Sequence, residues 1–196
     1  MKPDLDDTAL DQIFRQARTY NAWSDRPVTG DKLQAVYDLA KMGPTSANVS
    51  PGRFVFVSSP EGKAKLLPYM SSSNRAKTAA APVTVIIAYD LDFADQIPLL
   101  FPQNPGAKDW FSDLLLQQET AMRNGSLQGA YFMIAARALG LDCGPMSGFD
   151  KAGVDTAFFA GTRWRANFLC NLGYGTTENL LARLPRLPFE IACRRA

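Results

Sequence analysis

The longest periodic segment of this chain, roughly Trp110 to Leu139, reads as one helix, and a helix with few charges to offer water. In its second half Leu127, Ala130, Tyr131, Ile134 and Ala138 fall on one stripe, while the small residues Ala121, Gly125, Gly129 and Ala136 fall on other faces. A helix that is apolar on most faces is buried on most faces. The chain has 196 residues, enough for one domain with one core, so a second subunit is the natural cover for what that core leaves over. Gly140 is placed to cap the helix.

Around this helix the sequence shows no repeat and no long linker, and residues 1–196 read as a single domain. A first helix is expected over Asp7 to Tyr20, with Leu10, Ile13, Phe14 and Ala17 at helical spacing. A second opens at Thr29-Gly30-Asp31, turns Leu33, Val36, Tyr37 and Ala40 inward and stops at Gly43-Pro44. Arg53 to Ser58 is a short β run, and Pro60 begins a helix that stops near Pro68. Pro82 to Tyr89 is the clearest buried strand, β-branched and bounded by Pro and Asp. Leu91 to Gly106, rich in proline and polar residues, is expected to be a long covering loop. Arg163 to Leu172 is a further strand, ending in Gly173-Tyr174-Gly175. The tail, residues 179–196, cannot be a simple helix before Pro188, and an extended run across a partner subunit is expected.

Composition narrows the chemistry. The chain contains no histidine, which removes Ser-His-Asp and Cys-His nucleophilic sites, nearly all zinc sites and the commonest general acid–base group. No metal ligand set is expected. Cys143, Cys170 and Cys193 are far apart and odd in number, so they read as packing or surface residues rather than a disulfide framework. A formal net charge of +2 gives no reason to expect nucleic acid as a partner. No apolar run is long enough for a membrane helix, and the acidic start, Met1 to Asp7, lacks the apolar region of a signal peptide, which points to the cytoplasm. If the chain is an enzyme, a cofactor carries its chemistry.

Four segments could hold such a group, and each has a plainer reading. Gly43-Pro44-Thr45-Ser46-Ala47-Asn48 offers hydroxyls, an amide and free backbone groups to a planar ring or phosphate, but also suits a helix-stop turn. Asn74 and Lys77, three residues apart, share a helical face, where they can serve a ring edge or simply be solvated. Gly140 to Asp150 contains two internal glycines and Pro145, which allow close backbone approach; it also suits a connection between helices with Asp150 as a cap. Arg18 with Thr19, and Arg183 with Arg186, suit phosphate oxygens, although scattered arginines usually face water. There is no Walker loop and no G-x-G-x-x-G, so a Rossmann-type nicotinamide site is unsupported.

Taken together and in this order, the segments resemble the nitroreductase-like family of FMN-dependent oxidoreductases, from about Phe14 to Glu190. The resemblance implies an α+β fold: a three-layer α/β/α sandwich with a mostly antiparallel central sheet, in an intertwined homodimer. It implies that Arg18, Thr19, Asn21, Arg183 and Arg186 lie around the FMN phosphate, with Ala17 and Asn21 standing where many members carry a cation. Pro44, Thr45, Ser46 and Asn48 match the loop that packs on the flavin of the other subunit. Asn74 and Lys77 match the pair at the flavin's pyrimidine edge, with Lys77 the catalytic residue that offsets charge on the reduced ring. Pro145, Met146, Ser147 and Gly148 match the segment near flavin N5, Ser147 replacing a glutamate common in the family.

Several longer strings, among them Leu99-Leu100-Phe101-Pro102 and Ala182-Arg183-Leu184-Pro185-Arg186-Leu187, are similar to a branch that reduces malonic semialdehyde to 3-hydroxypropionate in pyrimidine utilisation. FMN with NADH or NADPH as co-substrate, in a ping-pong scheme, is what that resemblance implies. A broad nitro- or quinone reductase, a flavin carrier without turnover, and a structural dimerisation domain stand as alternatives.

Overall fold

The computed structural model describes residues 2–196. Its strands are β1 (Gly52–Val57), β2 (Val83–Asp90), β3 (Asp142–Met146) and β4 (Trp164–Gly173). They form one sheet in the order β1-β2-β4-β3, with every neighbouring pair antiparallel. The helices are α1 (Asp7–Leu10), α2 (Gly30–Ala40), α3 (Pro60–Leu66), α4 (Ser72–Ala80), α5 (Ile97–Leu100), α6 (Leu114–Ala138), α7 (Lys151–Phe158) and α8 (Phe189–Ala192).

The sheet is covered on both faces, and β2 shows why. Val83, Val85 and Ile87 point into one core with Val36 and Ala40 of α2 and Phe132, Ala135 and Ala136 of α6. Ile86 and Ala88 point into a second core with Leu66 of α3 and Val154 of α7. Alternate side chains of a strand take opposite faces, so a strand covered twice must be apolar throughout. This is the expected α/β/α sandwich. Gly140, at φ +77°, ends α6 in the left-handed conformation expected of a helix cap.

The face of α6 that meets the sheet is the small and polar one. Thr120, Ala121, Asn124, Gly125, Gln128, Gly129, Phe132, Ala135 and Ala136 are buried. A Cβ on Gly125 would stand 2.9 Å from Tyr89 Cβ, and one on Gly129 2.7 Å from the Phe168 ring and 3.0 Å from Ile87. The stripe of Leu127, Ala130, Tyr131, Ile134 and Ala138 is therefore the outer one: Leu127 and Tyr131 are 47 % and 39 % exposed, and Ala130 and Ile134 are half-buried. Met122 and the start of the helix, Leu114, Leu115 and Leu116, are also exposed. Close approach favours small side chains over large ones here, because the volume between helix and sheet is already filled by Tyr89 and Phe168.

Other expectations are corrected. The first helix is short: α1 passes into a π-type turn over Asp11–Arg15 and ends there, so Arg18 and Thr19 lie on extended chain and Phe14 is exposed. Tyr37 lies on the outer side of α2, with its ring edge against Phe54. The segment Leu91–Gly106 is not a loop. Phe93–Gln96, α5 and Pro105–Phe111 are short helical turns around a small apolar cluster of Val49, Leu91, Phe93, Ile97, Ala107, Phe111 and Ala121. The stretch after Gly140 is an edge strand, β3, where Pro145 costs no central hydrogen bond. No helix among the described residues is long and apolar enough to cross a membrane.

The tight seat of α6 predicts that Gly129→Val destabilises the fold by about 1–3 kcal/mol through overpacking. Gly30→Ala, at the exposed start of α2 with no atom within 4 Å of the added Cβ, is expected to be neutral or slightly stabilising. Urea denaturation of the two variants checks this; equal midpoints would contradict the packing account.

Candidate cofactor site

Helix α4 and the segment after β3 are tied together by one carbonyl. Ser71 N–H (3.1 Å) and Asn74 Nδ2 (3.0 Å) both donate to Gly148 O. The residue at 148 must be small: a Cβ there would lie 2.7 Å from Asn74 Nδ2 and 2.8 Å from Ser71 Oγ. Asn74 is buried. One turn further along α4, Lys77 Nζ donates to Asn21 Oδ1 (3.3 Å), so Asn21 orients the lysine rather than adding a cation. Met146 is buried beneath them, its sulfur accepting from Thr78 Oγ1 at 3.5 Å, while Pro145 is half-buried and Ser147 and Gly148 are exposed. The structure thus brings Asn21, Asn74, Lys77, Met146 and Gly148 into one neighbourhood.

The chain from Ala17 to Trp23 runs beside β3. Thr19 forms a parallel bridge with Cys143, Tyr20 N–H donates to Cys143 O (3.1 Å), and Trp23 bridges to Gly175. The C-terminal tail returns to this segment. Arg18 donates to Leu181 O, and Arg183 Nη2 donates to Ala17 O at 2.9 Å. Arg186 Nη1 is held within the tail by Leu184 O and Pro185 O. Between them lies a cavity of about 400 Å³, lined by Arg18, Lys77, Arg137, Arg183 and Arg186 together with Thr19, Asn21 and apolar neighbours. Five cations and no carboxylate line it, and none of the five takes part in a salt bridge among the described residues. Like charges collected in one cleft repel unless an anion joins them, and a phosphate is the anion that arginine forks match.

The Pro44-to-Asn48 loop lies elsewhere. It is strained: Ala47, Asn48 and Ser50 take φ of 46°, 53° and 39°, a region that side chains rarely adopt. It is held by Asn124 Oδ1, which accepts from Ser46 N–H (2.9 Å), by Leu100 O, which accepts from Asn48 Nδ2 (2.7 Å), and by Thr45 Oγ1, which accepts from Ser50 N–H (3.1 Å). Pro44, Ser46 and Asn48 remain exposed. The loop feeds β1 at Gly52, which pairs with Tyr89 at the end of β2, whereas α4 feeds the beginning of β2 at Val83. An eight-residue strand spans about 25 Å, so the loop and the Asn74–Lys77 pair lie at opposite ends of the sheet.

Two contributors escaped the sequence reading. Arg137, in the last turn of α6, lines the cavity. A lone cation at a helix C-terminus is ordinary, and nothing in its spacing marks it. Lys63 is the other. It is buried, and its Nζ donates to Thr78 O and to Thr84 Oγ1, both at 2.7 Å. Thr84 Oγ1 donates to Asn171 Oδ1 (2.7 Å), and Asn171 Nδ2 donates to Lys77 O (3.1 Å). The last turn of the helix carrying Asn74 and Lys77 is therefore gripped from inside the core.

The profile of the Nitroreductase family matches residues 14–174. This chain belongs to the nitroreductase family. It is 59% identical, over the whole of both chains, to a protein of Stenotrophomonas maltophilia (strain R551-3) provisionally named an NADH dehydrogenase/NAD(P)H nitroreductase. It is 58% identical to a like-named protein of Caulobacter sp. (strain K31), with 97% of each chain covered. A crystal structure of a provisionally named nitroreductase from Exiguobacterium sibiricum 255-15 in complex with FMN shares the fold, with a TM-score of 0.87 and 19% identity, over 100% of this chain and 99% of that one.

Burial pushes the Lys63 ammonium down from 10.5 to about 8. Between those values the unfolded chain keeps a proton that the folded chain has released, so stability rises with pH across that window; below pH 8 both states hold the proton and the full cost of burying the charge is present. Denaturation of wild type and Lys63→Met at pH 7.5 and pH 10 isolates this group. Wild type is expected to gain about 2 kcal/mol relative to the variant at the higher pH. An unchanged gap would contradict a buried, depressed Lys63.

Proposed function

We propose that this protein is an FMN-dependent NAD(P)H oxidoreductase that works as a homodimer, with each site completed by the partner subunit. The observation that carries this reading is the cavity with five cations and no carboxylate, set beside the Asn74–Lys77 pair. Arg18, Thr19, Arg183 and Arg186 would hold the cofactor's phosphate. Asn74, already fixed by Gly148 O, would orient the ring's pyrimidine edge, and Lys77 would supply positive charge there. The backbone around Met146, Ser147 and Gly148 would lie along the ring, with Pro145 stiffening the edge strand that carries it. FMN, when bound, supplies the two-electron carrier that takes hydride from NADH or NADPH and passes it to substrate.

The partner's role follows from the distance along β2. The Pro44, Thr45, Ser46 and Asn48 loop cannot reach its own Lys77, yet it presents exposed polar groups in a strained conformation. The outward stripe of α6, with Leu127 and Tyr131, and the exposed Leu187, Phe189 and Ile191 of the tail supply the apolar surface that a dimer would cover. In such a dimer the loop of one subunit lies on the cofactor of the other; of the tail expected to cross over at 179–196, residues 181–183 are tied to the chain's own Ala17 and Arg18, and only its end, residues 187–196, would run onto the partner.

For the substrate we favour a small aldehyde, malonic semialdehyde reduced to 3-hydroxypropionate, on the strength of the sequence strings that include Ala182 to Leu187. A nitro- or quinone reductase is the second reading, supported by the names of the relatives at 58–59% identity. The purified protein is expected to be yellow, to bleach with NADH or NADPH, and to turn over malonic semialdehyde faster than a nitroaromatic or a quinone. A colourless protein that FMN does not stabilise against heat would sink the flavin reading. Turnover of nitroaromatics with none of the aldehyde would replace the substrate.

A further inference from the structure

Besides Lys77 on α4, the phosphate-side cavity contains one cation whose position owes nothing to the tail. Arg18 and Arg183 are engaged with the carbonyls that join the tail to residues 17–18, and Arg186 is held by carbonyls of the tail itself. Arg137 instead rises from the last turn of α6, whose Gly125 and Gly129 lie tight against the sheet. Its Nη1 donates to Ile13 O at 3.2 Å. Its Nε is buried without a partner, and among the described residues no carboxylate pairs with it. Asp142 is the acid that feels it: burial raises the Asp142 carboxyl, while a hydrogen bond from Gly175 N–H (2.8 Å) and the charge of Arg137 pull it down.

A buried guanidinium N–H without an acceptor is costly, and such groups are normally satisfied. Arg137 also lines the cavity, and a guanidinium there without a carboxylate partner is a charged donor for phosphate oxygens. On the reading that this cavity takes the FMN phosphate, we propose that Arg137 is a further positioning residue for it, presenting its guanidinium charge to the phosphate oxygens from the rigid side of the cavity. Arg137 then defines where the phosphate sits, and the tail arginines close over it. A cation in the family's usual places at Ala17 and Asn21 is thereby replaced by one from α6.

The test compares FMN with riboflavin, which has the same ring and no phosphate, by flavin-fluorescence titration of flavin-stripped protein. Arg137→Gln is expected to weaken FMN binding roughly ten-fold or more while leaving riboflavin unchanged, as loss of a charged hydrogen bond would. Arg137→Lys, which keeps the charge without the fork, is expected to fall between the two. Gln12→Ala removes the other tie between the first helical segment and the end of α6, the Gln12 Nε2 bonds to Arg137 O (2.8 Å) and Ala138 O (3.3 Å), and should leave the preference for FMN intact. A preference for FMN that survives Arg137→Gln would overturn the proposal, as would an equal loss in Gln12→Ala, which would make the residue merely structural. A wild-type protein that binds FMN no better than riboflavin, or binds neither, would instead overturn the cofactor reading of the cavity itself.

Discussion

The structure depends on how closely α6 lies against the sheet. Gly125 and Gly129 let Tyr89, Phe168 and Ile87 come within contact distance of the helix backbone. Polar side chains of the same helix take fixed duties: on its buried face Gln128 accepts from Gly52 N–H at 2.6 Å and Asn124 from Ser46 N–H, and beside that face Ser126 Oγ accepts from Asn167 Nδ2 (2.8 Å) at the bulge where β4 slips against β2. One helix face therefore sets the start of β1, the conformation of the 44–50 loop and the register of the central strands. It also turns Leu127 and Tyr131 of α6 away from the chain's own core, while Phe132 enters it, since the two faces of a helix cannot both be inward.

The distribution of charge follows from the same frame. The sheet sends the loop and the Asn74–Lys77 pair to opposite ends of β2, while the edge strand β3 draws the 17–23 segment and the tail together on one side. Among the described residues the cations collected there have no salt-bridge partners, an arrangement that repels itself until an anion enters. Behind them, Lys63 spends its own buried charge on Thr78 O, at the C-terminal turn of α4 where helix carbonyls favour a cation. The site is thus held by polar bonds whose carbonyl and hydroxyl acceptors belong to the fold and by cations whose partner does not.

Much of this was legible in the sequence, for identifiable reasons. β2 is apolar on both faces and could be read directly; α2 announced itself by its Thr29 cap, which accepts from Lys32 N–H, and by its Gly43 stop. The pairing of Asn74 with Lys77 needed only helical spacing. Which face of α6 meets the sheet was not legible, because hydrophobicity suggests burial while close packing selects small residues, and only the sheet opposite decides between them. The segment 91–106 looked like a loop because Pro98, Pro102 and Pro105 interrupt any long helix, yet each suits the first turn of a short one or the break between two. β3 was hidden by Gly144 and Pro145, residues that an edge strand tolerates and a central strand does not. Arg137 and Lys63 left no signal, since a cation on a helix is ordinarily solvated and only tertiary packing makes either of them internal.

The central claim is that a working site needs the loop of one subunit and the Lys77 side of the other. Subunit complementation tests it most directly. A chain carrying Lys77→Ala and a chain carrying Ser46→Trp, each inactive as a homodimer, would be co-expressed with different tags and the heterodimer isolated. If sites are shared across the dimer, the heterodimer has one site with both defects and one with neither, and about half of the wild-type activity per dimer returns. If each chain builds its own site, every site keeps one defect, and a heterodimer as inactive as its parents would contradict the account.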